Sequence, residues 1–190
     1  GEARAAVGRV LEGAARVRGV TMAEAVLDDG QRLLAFNDLF IGARSHVSAR
    51  YRISFGQAAE PQSSSGVLVS TGAGSTGWLS SIFNMAAGVS AFSGGGAGPS
   101  EAREAGKGVT LAWEDPRLVF VVREPFVSRH SRAGIVAGMI ENGHELVLES
   151  RMPSGGVIFS DGVEADFLDF NSGAIARIRA ANRKAHLVVN

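Results

Sequence analysis

The sequence predicts a mainly β domain in which short antiparallel strands form a layered β-sandwich. Short apolar runs recur along most of the chain and are separated by turn residues such as Asp28-Asp29-Gly30 and Asn142-Gly143. Residues 47–55 alternate apolar and polar side chains with the period of two that a half-buried strand requires. Helical spacing is confined to residues 2–17 and 74–87. These observations favour a sandwich over a doubly wound sheet, in which strands would alternate with helices.

The first part of the chain is predicted to hold a helix, a hairpin and a single strand. Residues 2–17 are rich in alanine and carry apolar side chains at helical spacing, which predicts a short helix. Residues 18–27 and 32–36 lie on either side of an Asp-Asp-Gly turn and predict a β-hairpin. The strand at 47–55 follows, and the polar residues 57–65 are interpreted as a loop.

The second part of the chain is predicted to hold one helix followed by strands. The helix at about 74–87 leads into residues 88–108, which are rich in glycine, serine and alanine and predict a long surface loop. Asn142-Gly143 predicts a hairpin between strands at 133–140 and 145–152. Further strands are predicted at 109–113, 118–122, 157–159, 163–170, 174–180 and 185–189.

Composition limits the classes of function that fit the chain. Nineteen basic and nineteen acidic residues cancel, so no overall field attracts nucleic acid or an anionic membrane surface. The sequence has no cysteine, which excludes disulfides and thiol catalysis and is typical of a reducing compartment. No apolar run approaches the roughly 20 residues that a membrane-spanning helix needs. We therefore expect a cytoplasmic domain without a membrane or nucleic-acid partner.

Residues 66–81 combine a buried strand, a glycine turn and the start of a helix. Gly72, Gly74 and Gly77 would let a ligand lie against the backbone, and the hydroxyls of this stretch could bond the ligand or cap the helix. The stretch formally matches GxGxxG, but no acidic residue ends a second strand about twenty residues later. The Walker pattern also fails because no lysine follows the glycines. A nucleotide site and a capped helix after a glycine turn both remain open.

Two short polar motifs interrupt apolar runs. Asn37-Asp38 lies between apolar segments, and its side chains need partners if they are buried. Asp161-Gly162 follows the apolar strand at 157–159. Each motif is read either as an ordinary turn or as a group of side chains presented to a ligand, with the Asp161 carboxylate suited to a ribose hydroxyl.

A third polar cluster, Arg123-Glu124 with Arg129 and His130, follows the strand at 118–122. It could clamp phosphate groups, or it could be a solvated ion pair at a strand end. The four histidines are scattered without the spacing of metal ligands, so we expect no metal site.

The order of these motifs resembles the C-terminal domain of NAD kinases. Asn37-Asp38 stands where the family has Asn-Glu, the nonamer from Ser70 to Trp78 resembles Ser-Thr-Pro-Thr-Gly-Ser-Thr-Ala-Tyr, and Ser160-Asp161-Gly162 resembles the late Asp-Gly. Residues 118–125 and 170–176 are closer to the mitochondrial-type and related bacterial branch. The resemblance covers residues 16–190 and implies the layered antiparallel β-sandwich of that domain.

The resemblance implies transfer of a phosphoryl group from ATP or polyphosphate, with Mg²⁺, to the adenosine ribose 2′-hydroxyl of NAD. It also implies a homodimer or homotetramer. Asn37 and Ala73 would lie at the adenine, Trp78 would stack on the ligand, and Asp161 would approach the ribose or phosphates with possible catalytic support. The full set of implied NAD-binding residues is Asn37, Asp38, Ser70, Thr71, Ala73, Ser75, Thr76, Gly77, Trp78, Ser81, Asp161 and Gly162.

The sequence also departs from the family pattern. Ser65 replaces an aspartate that is usual in the bacterial enzymes, and Asp38 is one methylene shorter than the family glutamate. The Gly-Gly-Asp-Gly loop that carries the main catalytic aspartate is absent. We therefore expect residues 1–15 to be a linker helix from an upstream α/β domain and the chain alone to be inactive. A related lipid or sugar kinase and a non-catalytic nucleotide-binding or dimerisation module are the alternatives.

Overall fold

Two six-stranded antiparallel sheets pack face to face in the computed structural model, which describes residues 2–93 and 108–189. The first sheet has the strand order β2-β1-β12-β9-β4-β5, and the second has the order β11-β10-β3-β6-β7-β8. The elements are α1 (Glu2–Leu11), β1 (Arg16–Leu27), β2 (Arg32–Ala35), β3 (Asp38–Ala43), β4 (Ala49–Phe55), β5 (Ala58–Ser64), β6 (Val67–Ser70), α2 (Trp78–Phe92), β7 (Leu118–Val122), β8 (Ala137–Ile140), β9 (Leu146–Ser150), β10 (Gly156–Ser160), β11 (Val163–Asp169) and β12 (Ile175–Val189). The predicted mainly β sandwich is confirmed.

The main hydrophobic core lies between the two sheets. It includes the fully buried side chains of Ile53 and Leu148 from the first sheet and of Ile41 and Phe120 from the second. Alternation along β3 places Leu39 and Ile41 in this core and sends the side chains between them to the opposite face.

The outer face of the second sheet carries a smaller apolar cluster, which helix α2 and the segment before β7 cover. Leu68, Val119 and Val121 of the sheet pack there with Leu79 of α2 and with Leu111. The molecule therefore has a third layer on this side, and the turn between β6 and α2 lies at its edge.

Both helices differ from their predicted bounds. Helix α1 ends at Leu11 rather than 17, because Gly13 has φ +67° and β1 begins at Arg16. Helix α2 begins at Trp78 rather than 74, since residues 72–77 form tight turns, and it continues to Phe92. Residues 88–92 of the predicted loop are thus helical, and 94–107 lie outside the described residues.

Two segments differ from their predicted secondary structure. Residues 58–64 form strand β5, which pairs with all of β4, although they were interpreted as a loop. The polar side chains of this edge strand hide the period-two signal. Residues 109–113 form no strand, because Leu111 packs against α2 instead of joining a sheet.

The predicted hairpin at Asn142-Gly143 is wrong because β8 and β9 belong to different sheets. Its turn carries the chain from one layer of the sandwich to the other. The C-terminal residues form one continuous strand, β12, rather than two separate strands. Strand β12 pairs with β1 along its length, and a register shift between Thr21 and Ala23 accommodates an irregularity in the middle of the pair.

Candidate functional site

The candidate site lies on the outer face of the second sheet, where the end of β6, the start of α2, β3 and β10 meet. Strand β3 pairs with β6 on one side and with β10 on the other. The pairing sets Asp38 opposite Ser70 and Phe40 opposite Phe159. The fold therefore brings the three sequence motifs to one place although they are far apart along the chain.

Thr71 joins the turn after β6 to the segment between β2 and β3. Its hydroxyl donates to the Phe36 carbonyl at 2.6 Å and accepts from the Gly74 N–H at 3.2 Å. Its backbone N–H donates to the Asn37 carbonyl at 2.9 Å. Thr71 is fully buried, so its role in the described structure is to hold the turn in place.

Gly72 and Gly74 are required because the backbone of other segments packs directly against them. A Cβ at Gly72 would overlap the Ala112 carbonyl, and a Cβ at Gly74 would overlap the Asn37 carbonyl and lie 2.6 Å from Asp38 Oδ1. Close approach of a ligand was one interpretation of these glycines from the sequence. The structure gives a different reason, since other parts of the chain occupy the space.

Asp161 fixes the same segment from the other side. Its carboxylate accepts hydrogen bonds from the backbone N–H groups of Phe36 at 2.8 Å, Asn37 at 2.6 Å and Asp38 at 3.2 Å. Asp161 and Gly162 both have positive φ, 51° and 72°, as the tight hairpin turn between β10 and β11 requires. Asp161 therefore positions the Asn37-Asp38 segment.

Asp38 is the electrostatically unusual residue of the site. Burial raises its pKa to about 6, a hydrogen bond from Ser70 lowers it in part, and the nearby Asp161 carboxylate raises it further. Among the described residues, Asp38 Oδ1 is the buried side-chain oxygen that lacks a hydrogen-bond partner. Oδ1 packs against the backbone of Gly74, and an unpartnered buried acceptor adds to the cost of ionising the side chain.

Four aromatic rings form a row beside Asp38, and we call it the aromatic row. Phe40 stacks with Trp78 at a centroid distance of 5.7 Å and with Phe159 at 6.3 Å, with interplanar angles of 20° and 13°. Phe167 meets Phe159 edge-to-face at 5.9 Å. The Phe40 ring lies over the backbone of Gly66, where a Cβ would clash with it. Flat apolar surfaces of this kind suit a planar heterocycle.

Two arginines flank the aromatic row. The Arg123 guanidinium lies 5.3 Å from the Trp78 ring centroid and 5.9 Å from that of Phe40. At the other end, the Arg44 guanidinium lies 4.0 Å from the Phe167 centroid. Arg123 also approaches Glu124, but only at 3.8 Å. Guanidinium groups that rest on aromatic rings keep their N–H edges available for anions such as phosphate.

A cavity of about 280 Å³ lies among these residues, and a second of about 430 Å³ adjoins it. The two cavities share Phe40, Ala43, Arg44 and Arg123 as walls. Small-molecule sites usually enclose roughly 300–1,000 Å³. The first cavity alone is therefore small, whereas the two together have room for a ligand with two ring systems joined by a charged linker.

The structure separates the sequence-predicted residues into three groups. Asp38, Trp78 and Gly162 line the first cavity. Ser70 and Ser75 are buried, and the Ser75 hydroxyl donates to the Gly72 carbonyl at 2.8 Å. The remaining predicted residues, whose contact with a ligand stays a prediction, are Asn37, Thr71, Ala73, Thr76, Gly77, Ser81 and Asp161.

Capping of helix α2 by a hydroxyl, one of the two interpretations left open by the sequence, is not observed. The N-cap of α2 is Gly77, and no side chain bonds the free N–H groups there. Thr76, Gly77 and Ser81 are exposed, and the Ser81 hydroxyl donates back to the Gly77 carbonyl at 3.3 Å.

Phe40, Arg44, Phe159 and Phe167 were not predicted from the sequence as site residues. A signal was present, because Phe40 alternates with core residues in β3 and therefore has to face outward. The neighbouring strand that brings Phe159 beside it could not be identified without the sheet order.

Residues 2–93 and 108–189 contain neither a cluster of metal-binding side chains nor a membrane-spanning helix. No group of three or more histidine, cysteine, aspartate or glutamate side chains is placed to hold a metal ion there. None of the helices in those residues has the length and apolar character needed to cross a membrane.

Comparison with known proteins identifies the fold. No protein-family model matches the chain. No curated protein matches it either. Among solved structures, a crystal structure of yeast NADH kinase complexed with NADH matches with a TM-score of 0.66 and 16% sequence identity. The match covers 100% of this chain and 49% of the yeast chain, so this chain spans about half the length of that protein. The chain therefore has an NAD kinase-like fold.

Proposed function

We propose that the chain is the dinucleotide-binding domain of an NAD(H) kinase-type phosphotransferase. The observation that carries the proposal is the aromatic row, with Arg44 and Arg123 at its ends and Asp38 beside it. Nicotinamide dinucleotides combine two planar bases, a diphosphate and ribose hydroxyls. Support comes from the likeness to a yeast NADH kinase that was crystallised with NADH.

Each part of the site has a counterpart in the proposed ligand. One base would stack on the exposed part of Trp78 and Phe40, and the diphosphate would lie between the two guanidinium groups. The Asp38 carboxylate, which lines the first cavity, would accept a hydrogen bond from a ribose hydroxyl. The second nucleoside would occupy the adjoining cavity of about 430 Å³.

The proposed reaction transfers the terminal phosphoryl group of ATP or of polyphosphate to the adenosine ribose 2′-hydroxyl. The hydroxyl oxygen forms the new P–O bond, the shortened donor leaves, and the hydroxyl proton is released. Mg²⁺ would neutralise the donor phosphates in this reaction. The described residues offer no acidic cluster for that ion, so we propose that residues outside them supply donor and metal binding. The part of this chain is to bind and orient the acceptor.

Calorimetric titration of the chain with NAD, NADH and AMP tests the proposal. We expect both dinucleotides to bind more tightly than AMP because they reach both cavities. Arg123→Gln should weaken dinucleotide binding by about tenfold, since one charge-assisted contact to phosphate is lost. Arg117→Gln is the matched control, because Arg117 precedes β7 whereas Arg123 follows it, and Arg117 is paired with Asp115.

Two results would contradict this proposal. One is the absence of NAD and NADH binding at millimolar concentration by a folded chain. The other is an equal loss of affinity in the Arg123 and Arg117 variants, which would indicate a general effect of charge. Phosphorylation itself would be measured as NADP or NADPH formation by a longer protein that joins this chain to a Gly-Gly-Asp-Gly segment, with the chain alone as the inactive control.

A further inference from the structure

The loop between β7 and β8 carries a second cluster of positive charge away from the aromatic row. Hydrogen bonds fix this loop to the edge strand β5. The Phe126 N–H donates to the Ser63 carbonyl at 2.8 Å, and the Arg132 N–H donates to the Pro61 carbonyl at 2.9 Å. Within the loop, the Ser131 hydroxyl donates to the Phe126 carbonyl at 2.6 Å. The loop conformation is thus set by the fold.

A buried polar network strengthens this attachment. Glu60 accepts from the backbone N–H groups of Gly134 and Ile135 at 2.8 and 2.9 Å. Gln62 donates to the same carboxylate at 2.7 Å and accepts from the buried Tyr51 hydroxyl at 3.1 Å. The Glu60 carboxylate also interacts with Arg132, so it offsets part of the positive charge of the loop.

Four arginines from three segments of the chain lie around this loop. Two adjoining cavities, of about 510 and 720 Å³, share Pro61, Ser128, His130, Ser131 and Arg151 as walls. Arg50 of β4 lines the first cavity, and Arg129 and Arg132 of the loop line the second. No aspartate or glutamate lines either cavity among the described residues. We call these residues the arginine pocket.

The arginines of the pocket differ from the paired arginines of the first sheet. Arg177 and Arg179, for example, are paired with Glu145 at 3.3 and 2.9 Å. In contrast, Arg50, Arg129 and Arg151 make no side-chain hydrogen bond or ion pair within residues 2–93 and 108–189. Although the chain carries no net charge, these like-charged arginines lie together around a concavity.

We infer that the arginine pocket binds a ligand with two or more linked phosphate groups. One phosphate group carries a charge of about −1.5 to −2 at neutral pH, so four guanidinium groups match at least two such groups. Guanidinium forks also fit phosphate oxygens bidentately. The ligand is either a free inorganic chain or the phosphate tail of a nucleotide, whose base could rest on Phe126, which is 62% exposed at the rim. This inference does not depend on the proposed function.

Calorimetric titration with tripolyphosphate at constant ionic strength tests the inference. We expect tripolyphosphate to bind more tightly than pyrophosphate and pyrophosphate more tightly than sulfate, because the number of linked charges falls in that order. The variant Arg129→Gln with Arg151→Gln should weaken tripolyphosphate binding by about tenfold or more, since charge-assisted contacts are lost. Arg16→Gln with Arg183→Gln is the control, as it removes the same charge from exposed positions outside the pocket.

The titrations separate the possible explanations. If ATP binds and Phe126→Ser weakens ATP but not tripolyphosphate, the ligand is a nucleotide; if Phe126→Ser affects neither, it is a free phosphate chain. Equal losses in the two double variants, or sulfate binding as tight as tripolyphosphate, would overturn the inference. Tighter binding of a single-stranded RNA than of tripolyphosphate would also overturn it in favour of a nucleic-acid surface.

Discussion

Replacing Asp38 by asparagine preserves the shape of the side chain and removes a charge that the fold holds in a half-buried place. Burial raises the pKa of Asp38 from its ordinary value of 3.8 to about 6. The folded protein therefore binds a proton at this residue more tightly than the unfolded chain does. Ionisation of Asp38 then destabilises the folded state, and this cost appears as the pH rises from about 4 to about 6.

The size of the effect follows from the two pKa values. At 1.36 kcal/mol per pKa unit, ionised Asp38 costs the folded state about 3 kcal/mol at pH 7.5 and only about 1 kcal/mol at pH 4.5. The unfolding free energy of Asp38→Asn minus that of the wild type should therefore be about 2 kcal/mol larger at pH 7.5 than at pH 4.5. The altered hydrogen bond with Ser70 adds an offset that is the same at both pH values.

Urea denaturation of both proteins at the two pH values measures this change. The measurement at pH 4.5 serves as the internal control, because it contains the same offset but only about a third of the electrostatic cost. A stability difference between variant and wild type that stays constant with pH would refute the reasoning. A difference that grows in favour of the wild type at pH 7.5 would show that ionised Asp38 is stabilised by a partner in the folded state.

Two further predictions concern the glycine turn and the Asp161 hydrogen bonds. Gly74→Ala should destabilise the protein by about 1–3 kcal/mol in urea denaturation, because its Cβ would overlap the Asn37 carbonyl. Gly88→Ala, in an open position of α2, should instead stabilise the protein by about 0.5–1 kcal/mol, and equal effects of the two changes would contradict the packing argument. Asp161→Ala should speed hydrogen exchange of the Asn37 and Asp38 amides, which lose their acceptor, and should weaken NADH binding measured by calorimetry. Unchanged exchange at both amides would show that Asp161 does not hold this segment.

The fold could be predicted from the sequence where local pattern determines structure. The hairpin of β1 and β2 follows from alternating residues on either side of Asp28-Asp29-Gly30, and β7 follows from an uninterrupted apolar run. Strand β5 could not be predicted, because an edge strand with polar side chains takes its structure from pairing with β4. Asn142-Gly143 is a strong turn signal, but whether the turn joins neighbouring strands or two layers depends on the packing of the whole core.

In the candidate site, too, some residues could be predicted from local sequence, whereas others depend on the packing of the whole fold. Asp38, Trp78 and Gly162 were identified from motifs and do line one cavity. Phe159 and Arg44 were not identified, because nothing in their own neighbourhood of the sequence distinguishes them. Their role arises from the order of strands in the second sheet, which sets β10 against β3.

The central claim, that a nicotinamide dinucleotide lies on the aromatic row, is tested most directly by comparing the two tryptophans. Trp78 and Trp113 are 39% and 37% exposed, and each has an arginine near its ring, Arg123 at 5.3 Å and Arg18 at 5.0 Å. Trp113→Phe and Trp78→Phe therefore leave single indoles in similar surroundings. Oxidised NAD is the suitable ligand, since the reduced form absorbs tryptophan emission and would quench both indoles at a distance.

Stacking of a base on an aromatic side chain contributes about 1–3 kcal/mol to binding. Only the indole that contacts the base changes its surroundings, so NAD should alter the emission of one indole only. We expect NAD to quench Trp78 in the Trp113→Phe variant, with a saturable titration curve, and to leave Trp113 unchanged in the Trp78→Phe variant. Quenching of Trp113 alone, or no saturable quenching of Trp78 in a folded variant, would contradict the claim.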